Sequence, residues 1–256
     1  MSWVAYGVLG IVLLAGLSFV LLYGYRFLTR SPYFALKSIV IEGTFRLSSR
    51  EVLEIAGITK GQNSLDLSID QMERRITSSP WVEKASVKRA LPDGLHITVK
   101  EREPKFWVQY EGELWYADIY GERFAPLSLP GGGNERSFSS FPQLEVVAGA
   151  EGLTRLLPEL VRGLTDAKLA VDMAAVSMVR LSHGRGIDVH FEASRLVISL
   201  GQEDLKANLA RLQIVLADLS RRGELSKVRE VRAHGSNVWV VSESAVVEWR
   251  PDGWYC

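Results

Sequence analysis

Cysteine is almost absent from this chain of 256 residues. The one cysteine, Cys256, is the last residue, so no intrachain disulfide can form. An excess of charge of either sign is also missing, because 30 Lys and Arg side chains balance 30 Asp and Glu side chains. Without a basic stripe, a nucleic-acid-binding surface is not expected. The lack of disulfides is compatible both with the cytosol and with extracytoplasmic domains that fold without them.

Motifs of catalytic and metal sites are also missing. No GxSxG, P-loop or GxGxxG motif occurs, and no Lys-Ser/Thr pair follows the run Gly131–Gly133 to hold a phosphate. Glu101 and Glu103 could form an acid pair on one face of a strand, but Arg102 separates them, which favours a solvated edge. Metal-ligand spacing is absent from the four histidines, which are His96, His183, His190 and His234. We therefore expect no catalytic residue, no cofactor and no metal.

A long hydrophobic run is present near the start of the chain. Residues 3–25 carry no charged side chain, and Arg26 ends the run. As a helix this run is about 34 Å long, which is enough to cross a hydrocarbon core of about 30 Å. A cleaved signal peptide is the alternative, but its apolar core is usually only about 7–15 residues long and follows a basic segment. We predict an uncleaved transmembrane helix that contacts membrane lipid.

The charges around this run do not fix its orientation. No Lys or Arg precedes it, whereas Arg26, Arg30 and Lys37 follow it. Because cytoplasmic flanks usually carry the excess of positive charge, a count of these residues alone would place the rest of the chain in the cytoplasm.

The next 70 residues have the pattern of a small α+β layer. Ser48 with Glu51, and Ser68 with Gln71, have the spacing of capping boxes, which predicts two helices. The first helix is expected to end at Gly57. Alternating hydrophobic residues predict strands on both sides of the helices, at residues 36–42, 82–89 and 95–99. Two helices packed on one face of a three-stranded sheet are the simplest fold for this order.

The remaining residues have the pattern of a mostly-β domain with helices. Residues 130–134 predict a glycine-rich loop, and leucines at helical spacing predict helices at residues 152–164 and 203–222. Strands are predicted at residues 106–110, 114–117, 177–182, 187–191, 196–200, 227–233, 237–241 and 245–249.

Nearly the whole chain resembles a known family, most specifically at residues 80–104. The residues that carry the resemblance are Pro80-Trp81-Val82, Ala85, Val87, Arg89, Pro92, Leu95, Ile97, Val99, Glu101-Arg102 and Pro104. They are similar to the end of the POTRA domain in the FtsQ/DivIB family of bacterial cell-division proteins. The resemblance implies an α+β fold class with an N-terminal transmembrane helix, a POTRA domain (β-α-α-β-β), and a larger mostly-β domain with flanking helices.

The resemblance also implies domain boundaries and a location. The expected segments are a short cytoplasmic end at 1–2, a transmembrane helix at 3–25, a connector at 26–34, a POTRA domain at 35–103 and a β domain at 104–256. The family places the last two outside the cytoplasm, and this outweighs the charge count given above. We expect an inner-membrane protein that crosses the membrane once with its N-terminus in the cytoplasm.

The function implied is that of a non-enzymatic scaffold of the divisome during septum formation. The implied partners are FtsB and FtsL, with FtsK and FtsW-type proteins as further candidates, and no nucleic acid. Two alternatives remain open at this point. One is a POTRA-containing component of a secretion or outer-membrane assembly system, and the other is a membrane-anchored cell-wall enzyme.

The expected partner site lies near the end of the chain. Residues 237–241 are uncharged and β-prone, and if they form a sheet edge, their backbone is open to an added partner strand. In the resembling family, such an edge receives a strand of FtsB. The partner-binding residues implied by position are Arg232, Ala233, Ser236, Asn237, Val238, Trp239 and Val240. In the alternative arrangement, a turn at 242–244 pairs residues 245–249 with 237–241, which moves the edge to the last strand or removes it.

Overall fold

The computed structural model describes residues 2–30, 32–127, 141–166, 175–192, 195–242, 246–250 and 253–255. Its contacts divide the chain into two compact units, Met1–Arg102 and Glu103–Cys256. The helices and sheets confirm the predicted fold class, which is α+β with an N-terminal apolar helix and a larger, β-rich second part.

The first unit begins with helix α1, Ser2–Arg30. Residues Tyr6–Phe27 of this helix are long and apolar enough to cross a membrane. A short 3-10 helix, Pro32–Phe34, follows.

A three-stranded sheet with two helices completes the first unit. Its elements are β1 (Ser38–Glu42), α2 (Ser49–Ala56), α3 (Ile69–Thr77), β2 (Val82–Ala90) and β3 (Gly94–Glu101). The strand order is β1-β3-β2, with β3 parallel to β1 and antiparallel to β2. The helices bury Val52, Met72 and Ile76 against Ile97 and Val99 of the central strand.

The two predicted capping boxes have different outcomes. At α2, the Ser48 hydroxyl accepts from the backbone N–H of Glu51, whose carboxylate accepts from the N–H of Ser48, so this prediction is confirmed. Gly57 ends α2 in the left-handed conformation with φ 70°, which favours glycine. At α3, the side chain of Ser68 caps no backbone N–H, so the second predicted capping box is wrong.

The second unit contains one large mixed sheet and a layer of helices. Its strands are β4 (Phe106–Tyr110), β5 (Glu113–Ala117), β6 (Arg123–Pro126), β7 (Gln143–Val146), β8 (Val176–Ser182), β9 (Gly186–Phe191), β10 (Val197–Leu200), β11 (Val228–His234), β12 (Asn237–Ser242), β13 (Val246–Arg250) and β14 (Gly253–Tyr255). They lie in the order β14-β13-β12-β11-β10-β9-β8-β7-β4-β5-β6. Neighbours are antiparallel except β4–β7, β7–β8 and β10–β11.

The helices of this unit cover one face of the sheet. They are 3-10 helices at Glu151–Leu156 and Leu225–Lys227, α4 (Leu157–Asp166) and α5 (Leu205–Arg221). The leucine stripe predicted for the long helix is buried at Leu205, Leu209, Leu212, Leu216 and Leu219. Successive residues of a strand point to opposite faces of the sheet. The residues that alternate with the buried ones therefore lie on the face that the helices do not cover.

Three strands of the large sheet, β6, β7 and β14, were not predicted from the sequence. The predicted loop at 130–134 lies outside the described residues, as do residues 243 and 244 of the predicted turn.

Candidate partner-binding surface

Strand β12 contains most of the predicted partner-binding residues, and it lies inside the sheet. Its residues pair with β11 on one side, where Val240 is opposite Val231. They pair with β13 on the other side, where Val240 is opposite Val247. The expectation that residues 237–241 form a sheet edge is therefore wrong. The alternative arrangement, in which the following strand pairs with them, is observed.

The structure separates the seven predicted residues by the direction of their side chains. Three of them face the helices and are buried in the core, namely Ala233, Val238 and Val240. The other four are wholly or partly exposed, namely Arg232, Ser236, Asn237 and Trp239. This division follows from the alternation of side chains along β11 and β12. Only the second group has side chains that a partner could contact without unfolding the sheet.

The exposed members belong to a row of side chains that crosses the sheet. Arg232 lies opposite Trp239, and Trp239 lies opposite Glu248. Arg232 is held in place by an ion pair with Glu230 on its own strand, at 2.8 Å. Glu248 is paired with Arg250 at 3.1 Å. This part of the outer face therefore presents one aromatic ring between charges of both signs.

The same row continues across β10 and β9, where Ser199 lies opposite Arg232 and Asp188 lies opposite Ser199. These two residues form a buried polar pair. The hydroxyl of Ser199 on β10 lies 2.6 Å from Oδ1 of Asp188 on β9, and 3.2 Å from Oε1 of Glu230. Asp188 is only 3% exposed although it lies on the polar face. Because a hydroxyl has one proton, it can donate to only one of the two carboxylates at a time. We assign the donation to Asp188, the nearer carboxylate, since Glu230 also accepts from Arg232.

The end of the sheet is formed by β14, and its position is fixed by Trp254. Trp254 lies opposite Trp249 of β13 and packs against the hydrophobic core. Its indole Nε1 donates to Oδ2 of Asp218 on α5 at 3.0 Å. The same carboxylate forms an ion pair with Arg222 at 2.8 Å, and the Arg222 guanidinium lies 5.3 Å from the indole ring centroid. We refer to Trp254, Asp218 and Arg222 as the C-terminal clamp.

Sequence reasoning missed this strand, although a signal for it exists. Pro251-Asp252-Gly253 is a turn sequence, and it lies between a β-prone segment and Trp254-Tyr255. A turn of this kind between two short β-prone segments predicts a hairpin.

The outer side of β14 has no pairing strand among the described residues. Val246 and Val247 of β13 extend beyond its pairing with β14, and Val246 is 64% exposed. One free edge of the sheet is therefore β14, two strands beyond the predicted position, and β6 is the strand at the opposite end.

The acidic pair considered from the sequence has a structural role. The carboxylate of Glu101 accepts hydrogen bonds from the backbone N–H groups of Phe45, Arg46 and Leu47, at 2.9 to 3.0 Å. Glu103 is paired with Lys105 at 3.1 Å. Within the described ranges, no group of three or more His, Cys, Asp or Glu side chains is arranged to hold a metal ion.

Comparison with known proteins identifies the family. Residues 34–102 match the family model described as the POTRA domain, FtsQ-type. The cell division protein FtsQ of Myxococcus fulvus is 31% identical over 213 residues, which cover 82% of this chain and 74% of the relative. The chain belongs to the FtsQ family of cell division proteins. This membership favours the cell-division hypothesis over the secretion and enzyme hypotheses.

Two further FtsQ proteins match comparable lengths. The FtsQ of Anaeromyxobacter sp. is 29% identical over 248 residues, covering 95% of this chain and 83% of the relative. The FtsQ of Syntrophotalea carbinolica is 27% identical over 202 residues, covering 77% of this chain and 70% of the relative. The similarity to FtsQ proteins therefore extends through both units, well beyond the POTRA domain.

Proposed function

We propose that this chain is a non-enzymatic scaffold of the divisome that assembles partner proteins at the septum. Helix α1 anchors it in the inner membrane, with the N-terminus in the cytoplasm and residues 31–256 outside. Within that part, the connector ends at residue 34, the POTRA domain covers 35–103 and the β domain covers 104–256. FtsK and FtsW-type proteins are the proposed partners of the POTRA domain, and the FtsB–FtsL pair is the proposed partner of the β domain.

The proposed partner strand adds to the C-terminal edge of the large sheet. The observation that supports this is the outer side of β14, whose backbone no described residue pairs. Strand addition satisfies such backbone groups and gives affinity through main-chain hydrogen bonds. The C-terminal clamp contributes by holding β14 in place before the partner arrives, which lowers the entropy cost of binding.

The polar face beside this edge supplies selectivity. Trp239 is a large, half-buried aromatic side chain two strands from β14, and it lies between Arg232 and Glu248. Aromatic and arginine side chains dominate the binding energy of many interfaces. Of the residues implied by the family resemblance, we keep Arg232, Ser236, Asn237 and Trp239 as direct contacts. We assign the buried Ala233, Val238 and Val240 to support of the sheet.

Purification of the full chain with the FtsB–FtsL pair tests this proposal. Trp239→Lys removes the aromatic contact without entering the core, and we expect binding to weaken at least tenfold. A chain ending at Arg250 lacks β14, and we expect a similar loss. Met178→Lys is the matched control, since Met178 is a partly exposed residue on the same face of the sheet, on the more distant strand β8.

The results separate the two parts of the site. If the Trp239→Lys chain binds the pair with unchanged affinity, the polar face is not the contact surface. If removal of β14 leaves binding intact while Trp239→Lys abolishes it, the partner lies on the face, and strand addition at the edge is wrong.

The orientation is tested by a reporter that is active only outside the cytoplasm, fused after Cys256 in the full chain. We expect an active reporter. An inactive reporter on a protein that is inserted in the membrane would contradict the proposed topology and with it the scaffold function.

A further inference from the structure

A groove runs between α4 and α5, in the helical layer of the second unit. It has a volume of about 650 Å³. One face of each helix contributes to it, over about two turns. The lining residues are Arg155, Pro158, Glu159, Arg162 and Gly163 on the side of α4, and Lys206, Leu209, Ala210 and Gln213 on the side of α5.

The floor of the groove is formed where the two helices approach closely. A Cβ atom at Gly163 would collide with Cδ1 of Leu209, so a larger residue there would require the Leu209 side chain to shift. Leu209 is itself buried at 7% exposure. Ala210 and Pro158 add small or apolar surface beside it. The floor is therefore apolar and set by the packing of the helices, and so is ready to receive apolar side chains.

The rim of the groove is cationic. Arg155, Arg162 and Lys206 are exposed, and none of them forms a hydrogen bond or an ion pair with another residue in the part of the chain that is described. Glu159 is the one acidic residue in the lining. Elsewhere in this unit, many arginines have a carboxylate nearby, such as Arg222 with Asp218 at 2.8 Å. Among the described residues, the three rim cations have no such partner.

The exposed face of α5 continues the apolar floor beyond the groove. Ala210, Ile214 and Ala217 follow one another at intervals of four and three residues, which places them on one side of the helix. Ile214 is 54% exposed. A single exposed isoleucine is ordinary, but this one extends a groove with an apolar floor and an unpaired cationic rim.

We propose that this groove binds an acidic amphipathic helix of a partner protein. Such a helix would place apolar residues at positions i, i+3, i+4 and i+7 on the floor, and carboxylates on its flanks beside Arg155, Arg162 and Lys206. Charge complementarity selects an acidic helix over a basic one. The length of the groove matches about two turns. The site is separate from the β14 edge and does not depend on strand addition there.

The test uses the full chain in lipid nanodiscs and a fluorescent peptide of 15 residues. The peptide has Leu at positions i, i+3, i+4 and i+7 and Glu on both flanks, and its anisotropy reports binding. We expect Arg162→Glu to weaken binding at least tenfold, and we expect a peptide with Lys in place of Glu to bind poorly to the parent chain. The Lys peptide should regain affinity for the Arg162→Glu chain, because the charges are exchanged.

Two controls distinguish the groove from general charge effects. Arg185→Glu makes the same charge change at an exposed turn outside the groove, and binding should remain within twofold of the parent chain. Ala210→Trp fills the floor without changing the charge, and binding should be lost while the thermal transition of the unit is retained. Equal binding of the Glu peptide to the parent, Arg162→Glu and Ala210→Trp chains would overturn the proposal.

Other occupants give different results. If Arg162→Glu converts a dimer of the chain into a monomer in sedimentation, a second copy occupies the groove, and the proposal of a partner helix is wrong. Loss of FtsB–FtsL binding in the Trp239→Lys chain, with peptide binding unchanged, would show that the two sites are independent.

Discussion

In the first unit, the outer backbone of edge strand β2 donates a hydrogen bond to a side chain of the neighbouring helix α3. The carboxylate of Glu73 on α3 accepts from the backbone N–H of Val87 at 2.8 Å. In the second unit, no described residue bonds to the outer side of the edge strand β14, and the strand is fixed from behind by Trp254. In the small sheet, a side chain therefore occupies part of the edge, whereas in the large sheet the edge at β14 has no hydrogen-bond partner among the described residues. An exposed edge is a hazard unless it is covered or used, which makes β14 the better candidate for strand addition.

The largest expected loss of stability follows from replacing a buried residue in the hydrophobic core of either unit. Leu212 on α5 is fully buried in the second core, and Ile76 on α3 is fully buried in the first. Because each replacement leaves a cavity, Leu212→Ala and Ile76→Ala should each lower the free energy of unfolding of their own unit by about 3 kcal/mol. Hydrogen exchange of the full chain in nanodiscs should show faster exchange confined to the mutated unit. Faster exchange in both units would contradict their independence.

A somewhat smaller effect is expected for the buried polar pair of the large sheet. Ser199→Ala removes the hydroxyl that hydrogen-bonds the buried carboxylate of Asp188. We expect a loss of about 2 kcal/mol, since the buried carboxyl group then loses its hydrogen-bond donor. Denaturant unfolding measures this loss. Ser199→Thr keeps the hydroxyl and should recover most of it, and equal losses in both variants would point to packing as the cause.

A smaller loss of stability is expected when the hydrogen bond at the edge of the small sheet is removed. Glu73→Ala leaves the N–H of Val87 without its acceptor, which should cost about 1 kcal/mol and speed the exchange of that amide. Glu73→Gln keeps an acceptor oxygen at the same position and should retain most of the protection. Unchanged exchange at Val87 in the Glu73→Ala chain would show that the side chain does not protect this edge.

The smallest expected change in stability concerns one exposed glutamate in each unit, Glu51 and Glu151. Hydrogen bonds from the side chain and then the backbone of Ser48 hold the pKa of Glu51 below its ordinary value of 4.5. Hydrogen bonds from the backbone N–H groups of Glu151 and Gly149 lower the pKa of Glu151 in the same way. A lowered folded-state pKa means that the stabilisation is complete above pH 4.5 and is lost as the pH falls through the folded-state value.

Unfolding measured at neutral and acidic pH checks this direction. Glu51→Gln and Glu151→Gln should each be less stable than the parent chain at pH 7, and the difference should shrink below pH 4.5. A difference that grows on acidification would contradict the assignment for that residue.

Much of the fold could be predicted because the sequence carries local signals for it. The run at 3–25, the capping box at Ser48 and the leucine stripe of α5 each encode one element through spacing alone. Ser68 shows the limit of such signals. Its spacing to Gln71 fits a capping box, but the observed backbone leaves its side chain without a hydrogen bond to the helix.

The candidate site was harder to predict because strand neighbours depend on pairing between distant segments. The composition of β12 marked a β-prone segment correctly, but an uncharged strand fits the middle of a sheet as well as its edge. The position of the edge depends on the pairing of β14 with β13 and on the hydrogen bond from Trp254 to Asp218, 36 residues earlier in the chain. The second of these contacts has no local sequence signal.

The pairing of β4 with β7 is the shortest strand pairing in the described part of the large sheet. Only one residue pair, Trp107 with Gln143, is in register there, whereas β7 and β8 share four. In the proposed arrangement, with a membrane anchor at one end of the chain and a partner strand at the other, a pulling force between them would act across this seam. Since fewer hydrogen bonds resist separation there, the seam is where the β domain would yield first, and the strands from β7 to β14 would stay together as one block.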